Sequence, residues 1–466
     1  MTRPNICVIL TDDHAAHAIG AYGSVVNRTP RIDELADHGV RFDNCFATNS
    51  LCSPSRASIL TGTYSHVNGV TTLVTPIDAG QPTFVSTLKA AGYRTAMVGK
   101  WHMGDGEGHD PQGFDYWDVL IEQGEYHDPR FLSEDGLRIE PGYATDVITD
   151  LALGWLESLE GDAPWCVLIW HKAPHRPWQP APRHAELYSD PIPVPATWDD
   201  DYSTRTSSAR RAAMRIAEHL NAEDLKVDPP VGMTYEEEAL WKYQRYMEDY
   251  LRCVAAVDEN VGRVTDWLRG RGAFDDTVMM YASDQGFFLG DHGWFDKRLM
   301  YEESIRMPMI LSYPARLAAG SYDGIVTNVD VAQTLLDAAG VAAPERMQGR
   351  SFLERMASST SDRPDGFYYR YWEHDDVFHR APAHYGYRTE RYKIVYYYND
   401  GLGLAGTGPF TYPGEWELFD LAEDPQELRN VAHDQAYAEV FVEMRSRLRH
   451  GQRAVADVPH PSEPSL

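Results

Sequence analysis

The sequence predicts an α/β fold: a large, mostly parallel sheet sandwiched by helices, followed by a smaller C-terminal antiparallel subdomain. Two patterns and one bound point to it. Over residues 1–361, short β-branched or apolar runs alternate with helix-length amphipathic stretches, the signature of a sheet covered on both faces. Over residues 362–466 the texture changes to successive strand-like pieces closed by a last helix. The chain has 466 residues, 43% apolar and 24% charged, enough for one large domain or two moderate ones and incompatible with wholesale disorder.

The elements follow in chain order. Residues 5–10, 95–98, 166–170, 277–282 and 309–312 are apolar runs of strand length. Thr29 and Pro30 open a helix that places Ile32, Leu35 and Ala36 on one face and stops at Gly39. Helices are also predicted over 83–91 before Gly92, over 146–159, and over 330–339 before Gly340. Residues 235–268 read as one long amphipathic helix, or as two broken near Asp258. The polar, proline-rich stretch 174–233 is too long for a tight connection and is expected to make an excursion near the site. Strand-like pieces at 367–371, 385–389, 392–398 and 415–421, then a helix at 436–448, complete the smaller part.

Charge narrows the partners. Lys and Arg total 42 against 70 Asp and Glu, a net charge of −28 that repels nucleic acid and anionic membranes, so neither is an expected partner. An anionic substrate must then be drawn by local cations or a metal. No apolar run approaches the roughly 20 residues of a membrane span, and a strand-like run starts by residue 6, so the reading is a cytoplasmic chain without a signal peptide. Five cysteines are too few and too scattered for a disulfide framework; Cys7, Cys166 and Cys253 lie in apolar or helical patterns and read as core. Homo-oligomerisation is left open.

Polar residues cluster where the strands end. Asp12, Asp13 and His14 follow the first run, Lys100 and His102 the second, His171 and His175 the third, and Asp284 and Gln285 the fourth. Open parallel sheets bind ligands beyond the carboxyl ends of their strands, so neighbouring strands would bring these side chains into one crevice. Asp12, Asp13, Asp284 and Gln285 form an all-oxygen donor set that suits a hard dication such as Ca²⁺ or Mg²⁺. An isolated Asp-Asp pair would more simply cap a turn; the second acidic strand end tips the reading to a metal.

The most specific motif is Leu51-Cys52-Ser53-Pro54-Ser55-Arg56, continuing to Leu60-Thr61-Gly62. With it, the chain resembles the type I sulfatase family of the alkaline phosphatase superfamily, and the resemblance runs on to the 417–427 stretch, Glu-Leu-Phe-Asp-Leu-Ala-Glu-Asp-Pro-Gln-Glu. The resemblance implies an alkaline phosphatase-like fold and oxidation of Cys52 to formylglycine by a formylglycine-generating enzyme. It also implies a Ca²⁺ site, with Mg²⁺ or Mn²⁺ as alternatives, built from Asp12, Asp13, Asp284, Gln285 and the residue at position 52. Gln285 stands where the family often has Asn. Arg56 would hold the formylglycine, Lys100 and Lys297 would bind sulfate, and His102 would stand beside the nucleophile. His175 would meet sulfate or the leaving oxygen. His292, Arg298 and, more weakly, His171 are candidate substrate-binding residues. The stretch 283–304 is similar to bacterial carbohydrate sulfatases, including those resembling N-acetylglucosamine-6-sulfatases, which makes a sulfated saccharide the expected substrate.

The implied reaction is attack on sulfur by one hydroxyl of the hydrated aldehyde, departure of the alcohol with help from His175 or Lys297, and breakdown of the sulfated adduct with His102 as base. Two rivals stand beside it: a phosphonate monoester or phosphodiester hydrolase of the same superfamily, and a non-catalytic sugar-binding protein in which Cys52 stays a thiol. The 401–406 stretch fits Gly-x-Gly-x-x-Gly but is followed by Pro409 and Pro413, so it reads as a mobile loop and not a nucleotide site. The aromatic residues of 367–372, Tyr385, Tyr387 and 396–398 read as core of the smaller part, with His374, Arg380 and His384 as an alternative sugar-stacking wall.

Overall fold

A computed structural model describes residues 3–106, 108–357 and 363–464; the boundary expected between 361 and 362 lies outside the described residues. Its main sheet has ten strands. From edge to edge they are β13 (Gly320–Tyr322), β2 (Val40–Phe42), β12 (Met309–Ser312), β9 (Thr277–Ser283), β1 (Asn5–Thr11), β8 (Trp165–Trp170), β4 (Arg94–Lys100), β5 (Tyr116–Leu120), β6 (Arg130–Ser133) and β7 (Gly136–Ile139). The five central strands, β9 to β5, are parallel. β12 runs antiparallel to β9, and β6 and β7 extend the other edge as an antiparallel hairpin. Two short pairs lie apart: β3 (Cys45–Phe46) with β14 (Val326–Thr327), and β10 (Phe288–Leu289) with β11 (Phe295–Asp296).

The central strands are apolar on both faces because both faces are covered. Cys7, Ile9, Val98, Val167 and Ile169 point into one core, which the Ala144–Ser158 and Tyr235–Gly270 helices close. Ile6, Val8, Leu10, Met97 and Leu168 point into the other, closed by the Cys52–Thr61, Phe84–Ala90 and Val331–Ala338 helices. The long helix is a single element of 36 residues, opened by a capping box between Thr234 and Glu237. It does not break at Asp258. That carboxylate instead accepts from the backbone N–H groups of Arg31 at 3.0 Å and Ile32 at 2.9 Å, capping the Pro30–Asp37 helix from outside.

The C-terminal part is a four-stranded antiparallel meander, β15 (Gly366–Tyr371), β16 (His384–Thr389), β17 (Tyr392–Tyr397) and β18 (Glu415–Asp420). Side chains alternate across it. Tyr368, Tyr385, Ile394, Tyr396 and Leu418 pack with the Ala438–Ala454 helix, whereas Tyr369, Tyr371, Val395, Tyr397 and Phe419 pack on Phe46, Met300 and Tyr301. His384 is buried among the rings of Tyr369, Tyr371 and Tyr397, so it belongs to this core and not to an exposed wall.

Candidate active site

The parallel order β9-β1-β8-β4 puts the carboxyl ends of four strands side by side, and the polar residues that follow them meet there. Asp12 and Asp13 leave β1, and Asp13 turns with φ of 66°, a left-handed conformation that Asp tolerates better than most residues. Asp284 leaves β9 and Lys100 ends β4. Cys52 is the first residue of a helix buried along its whole length, which ends at Gly62 in the left-handed conformation at φ 61°. Its Sγ lies 3.3 Å from Asp12 Oδ1.

Three carboxylates buried in one place need compensating charge. Arg56 supplies part of it, with Nη2 3.2 Å from Asp12 Oδ2 and Nε 3.0 Å from Asp284 Oδ2, while Nη1 donates to Lys100 O at 2.7 Å. Lys100 pairs with Asp12 and donates to Gln123 Oε1 at 2.5 Å. Lys297 donates to Asp13 at 2.7 Å. Burial pushes all three acids up, and Asp13 and Asp284 titrate at about 7 and about 6. For Asp12 the nearby cations Lys100, Arg56 and Lys297 outweigh burial and hold it well below the carboxylate range. Lys297 is held above its ordinary value in spite of burial, because the carboxylates of Asp13, Asp296 and Asp12 face it.

The two histidines have defined tautomers. His175 Nδ1 lies 2.6 Å from Arg176 O, which can only accept, so Nδ1 carries the proton and Nε2 is free, 3.8 Å from Asp13 Oδ2. Ser53 donates its only hydroxyl proton to His102 O at 2.6 Å, so the 3.3 Å contact of its oxygen with His102 Nδ1 is a bond from Nδ1–H, leaving Nε2 as an acceptor. Burial first, then Lys100, holds both imidazoles well below their ordinary pKa, hence neutral at pH 7.

Asp12, Asp13 and Asp284 each offer an oxygen within 4.8 Å of the others, and Asp12, Cys52 and His175 meet within the same span. Gln285 donates Nε2 to Asp13 Oδ1 at 2.6 Å, and its buried Oε1 has no hydrogen-bond partner among the described residues. Three carboxylate oxygens beside an orphaned amide oxygen are a donor set that fits Ca²⁺ or Mg²⁺.

Other candidates lie further out. Arg298 follows Lys297 and is held by Asp296 at 3.1 Å and by Tyr371 and Glu373 at 3.0 Å. His292 is not brought into the cluster: its Nδ1 sits 2.8 Å from Asp200, and Phe288, Trp294 and Tyr301 surround its ring. Nor is His171, whose two ring nitrogens have no hydrogen-bond partner among the described residues and whose pKa burial lowers to about 4. Sequence reasoning passed over Gln123 and Lys172, and it expected the 174–233 excursion near the site without naming the residues that place it there. Gln123 has no local signal; Lys172, inside the 171–177 stretch, stacks 4.9 Å from Tyr126; and the 174–233 excursion, through Arg176 and Asp224, braces the His175 loop.

Residues 4–341 match the family described as Sulfatase, and residues 290–454 match N-sulphoglucosamine sulphohydrolase, C-terminal. The chain belongs to the sulfatase family. This sulfatase, a sulfuric ester hydrolase, is 41% identical over 98% of its length to the N-acetylglucosamine-6-O-sulfatase of Bacteroides thetaiotaomicron, of which the match covers 87%. It superposes with a TM-score of 0.91 and 39% identity, over 100% of both chains, on BT4656 in complex with its substrate D-glucosamine-2-N,6-O-disulfate. The phosphonate monoester hydrolase of Agrobacterium radiobacter, 22% identical over 97% of this sulfatase and 96% of its own chain, shares the fold with a TM-score of 0.74.

Proposed function

We propose that this sulfatase removes a 6-O-sulfate ester from a glucosamine unit, using formylglycine made from Cys52 by a formylglycine-generating enzyme. The observation that carries the chemistry is a buried Cys52 sulfur 3.3 Å from Asp12, in a cluster where Arg56, Lys100 and Lys297 face three carboxylates. The names of its relatives supply the sugar and the position of the ester. An unconverted thiol suits the task poorly, because burial and then Asp12 push its pKa well above the ordinary value and keep it from forming a thiolate.

Formylglycine supplies a hydrated aldehyde with two hydroxyls, one to attack sulfur and one through which the adduct can expel sulfate. Asp12, Asp13, Asp284 and Gln285 would hold a Ca²⁺ or Mg²⁺ ion, which when bound neutralises sulfate oxygens and favours the ionised nucleophile. Arg56 fixes residue 52 and balances Asp12 and Asp284. Lys100 and Lys297 bind sulfate oxygens and stabilise the charge that builds up on them. Lys297, held protonated, donates to the ester oxygen as the alcohol departs. His175, with Nδ1–H committed to Arg176 O, presents Nε2 as an acceptor that orients the incoming groups. His102 Nε2 takes the proton released when the adduct collapses.

The test compares sulfate release from N-acetylglucosamine 6-sulfate with release from its 3-sulfate isomer and with hydrolysis of an aryl phosphonate monoester. The 6-sulfate is expected to be turned over fastest; faster phosphonate cleavage would overturn the proposal. Mass spectrometry of the peptide spanning residue 52 should find it lighter than the thiol form. A peptide carrying only thiol in active protein would remove the formylglycine step.

A further inference from the structure

His175 can present Nε2 to the cluster only while its ring and its peptide are held. No helix or strand holds them: the chain leaves β8 at Trp170 and runs on to Ala181 without a regular element, so this loop takes its shape from individual hydrogen bonds. At its start His171 N–H donates to Leu10 O at 2.7 Å and Asp12 N–H donates to Ala173 O at 3.3 Å. On its far side the Arg176 guanidinium grips Asp224 at 2.8 and 2.5 Å. Between these ties His175 is held by three groups. Its N–H donates to Lys172 O at 3.0 Å, its carbonyl accepts from the Tyr126 hydroxyl at 2.7 Å, and its Nδ1–H ends on Arg176 O at 2.6 Å.

The Arg176 carbonyl has a second donor. Lys172 Nζ lies 3.3 Å from the same oxygen and 4.9 Å from the centre of the Tyr126 ring. A carbonyl oxygen has two lone pairs, so it accepts from the imidazole and the lysine together. Lys172 is only 2% exposed, and among the described residues its nitrogen has no ion-pair partner; one carbonyl and the face of one ring are its contacts. A buried cation so thinly compensated is costly. Burial lowers its pKa to about 7, yet the neutral amine keeps N–H bonds to give, so the contact with Arg176 O survives in either protonation state. A methionine would fill the same space at less cost, so stability alone gives no reason for a lysine here.

Resting on the reaction proposed above, we infer that Lys172 is a positioning residue for His175. By occupying one side of the Arg176 carbonyl it fixes that peptide plane, and with it the acceptor on which the Nδ1–H of His175 depends. Tyr126 supports both ends, with its ring face toward the ammonium and its hydroxyl on the His175 carbonyl. Lys172 and His175 then act as one unit, and the lysine does its work without touching substrate. The rival role, a further cation on the sulfate, would make Lys172 act independently of His175.

A double-mutant cycle separates the two roles. It measures kcat and KM for an aryl sulfate and for N-acetylglucosamine 6-sulfate in wild type, Lys172→Met, His175→Ala and the double variant, per folded molecule and with conversion of residue 52 checked by mass spectrometry. Lys172→Met should lower kcat about tenfold to a hundredfold with KM within about twofold, the size of loss expected when a reacting group is displaced by about 1 Å. In the His175→Ala background the same substitution should cost no more than about twofold. Tyr126→Phe keeps the ring and removes only the hydroxyl; it should lower kcat several-fold, have no further effect once His175 is gone, and serves if Lys172→Met does not fold. No loss in Lys172→Met, or equal losses with and without His175, would overturn the inference and leave the proposed reaction standing. A His175→Ala enzyme as active as wild type would take away the histidine's role in that reaction, and this inference with it.

Discussion

The carboxyl edge of the main sheet and the small C-terminal sheet both bury charged side chains, to different ends. In the C-terminal sheet, Lys393 of β17 is wholly buried between Glu302 at 2.9 Å and Glu427 at 2.6 Å, and Arg388 of β16 adds a second cation to Glu302 at 3.0 Å. These charges are paired with each other and join the meander to the short Glu302–Ile305 helix of the catalytic part. At the sheet edge the pairing is incomplete in a specific way. Gln285 Oε1 is orphaned, two imidazoles present bare Nε2 atoms, and a nucleophile precursor stands in their midst. Buried charge by itself does not mark a site; buried charge with unspent valence around a reactive side chain does.

That contrast can be broken in four places. The largest expected effect is at Cys52: Cys52→Ala should lower kcat/KM for sulfate release on the order of 10⁴-fold or more while the protein still unfolds cooperatively, measured by steady-state kinetics and a denaturation curve. Activity close to wild type would remove residue 52 from the chemistry. In the C-terminal sheet the expectation inverts. Lys393→Met strands Glu427 and leaves Glu302 to Arg388 alone, and should cost about 3–5 kcal/mol in a urea titration, yet leave turnover per folded molecule within about twofold. Normal stability with lost turnover would mean that this network serves catalysis.

A subtler difference is visible in pH. Burial lowers the pKa of Lys172, in the catalytic part, from 10.5 to about 7. Between those values the unfolded chain binds the proton that the folded chain has given up, so stability should rise with pH across the window. Lys172→Met should flatten that rise in denaturation curves taken at several pH values; an unchanged slope would place the effect elsewhere. The smallest effect is expected at His171. Removing two unpartnered buried nitrogens in His171→Leu should leave stability equal or slightly higher and sulfate release within about threefold. A large loss of release would bring His171 back to the substrate.

Much of the architecture was legible because parallel strands buried on both faces are written as unbroken apolar runs. The predicted strand 166–170 is observed as Trp165–Trp170, and 309–312 as Met309–Ser312. β5, β6 and β7 were not legible: Asp118, Arg130 and Arg138 interrupt them, and Asp118 and Arg138 satisfy one another only once the strands have paired. The Cys52–Thr61 helix was also hidden, since a segment rich in Ser with an early Pro has no apolar stripe; it is helical because every side of it is covered. Asp258 misled for a related reason, because an acid in a long helix looks like a break until the N-terminus it caps is in place.

By itself the sequence determined the α/β class, the order of the polar strand ends and the Cys52 motif, because these rest on local periodicity and on covalent spacing. Only the tertiary structure decided which of two histidines four residues apart, His171 or His175, turns toward Asp13, and that Asp200 and an aromatic shell take up His292. Those outcomes depend on how strands far apart in the chain register side by side, and no spacing along the chain encodes that.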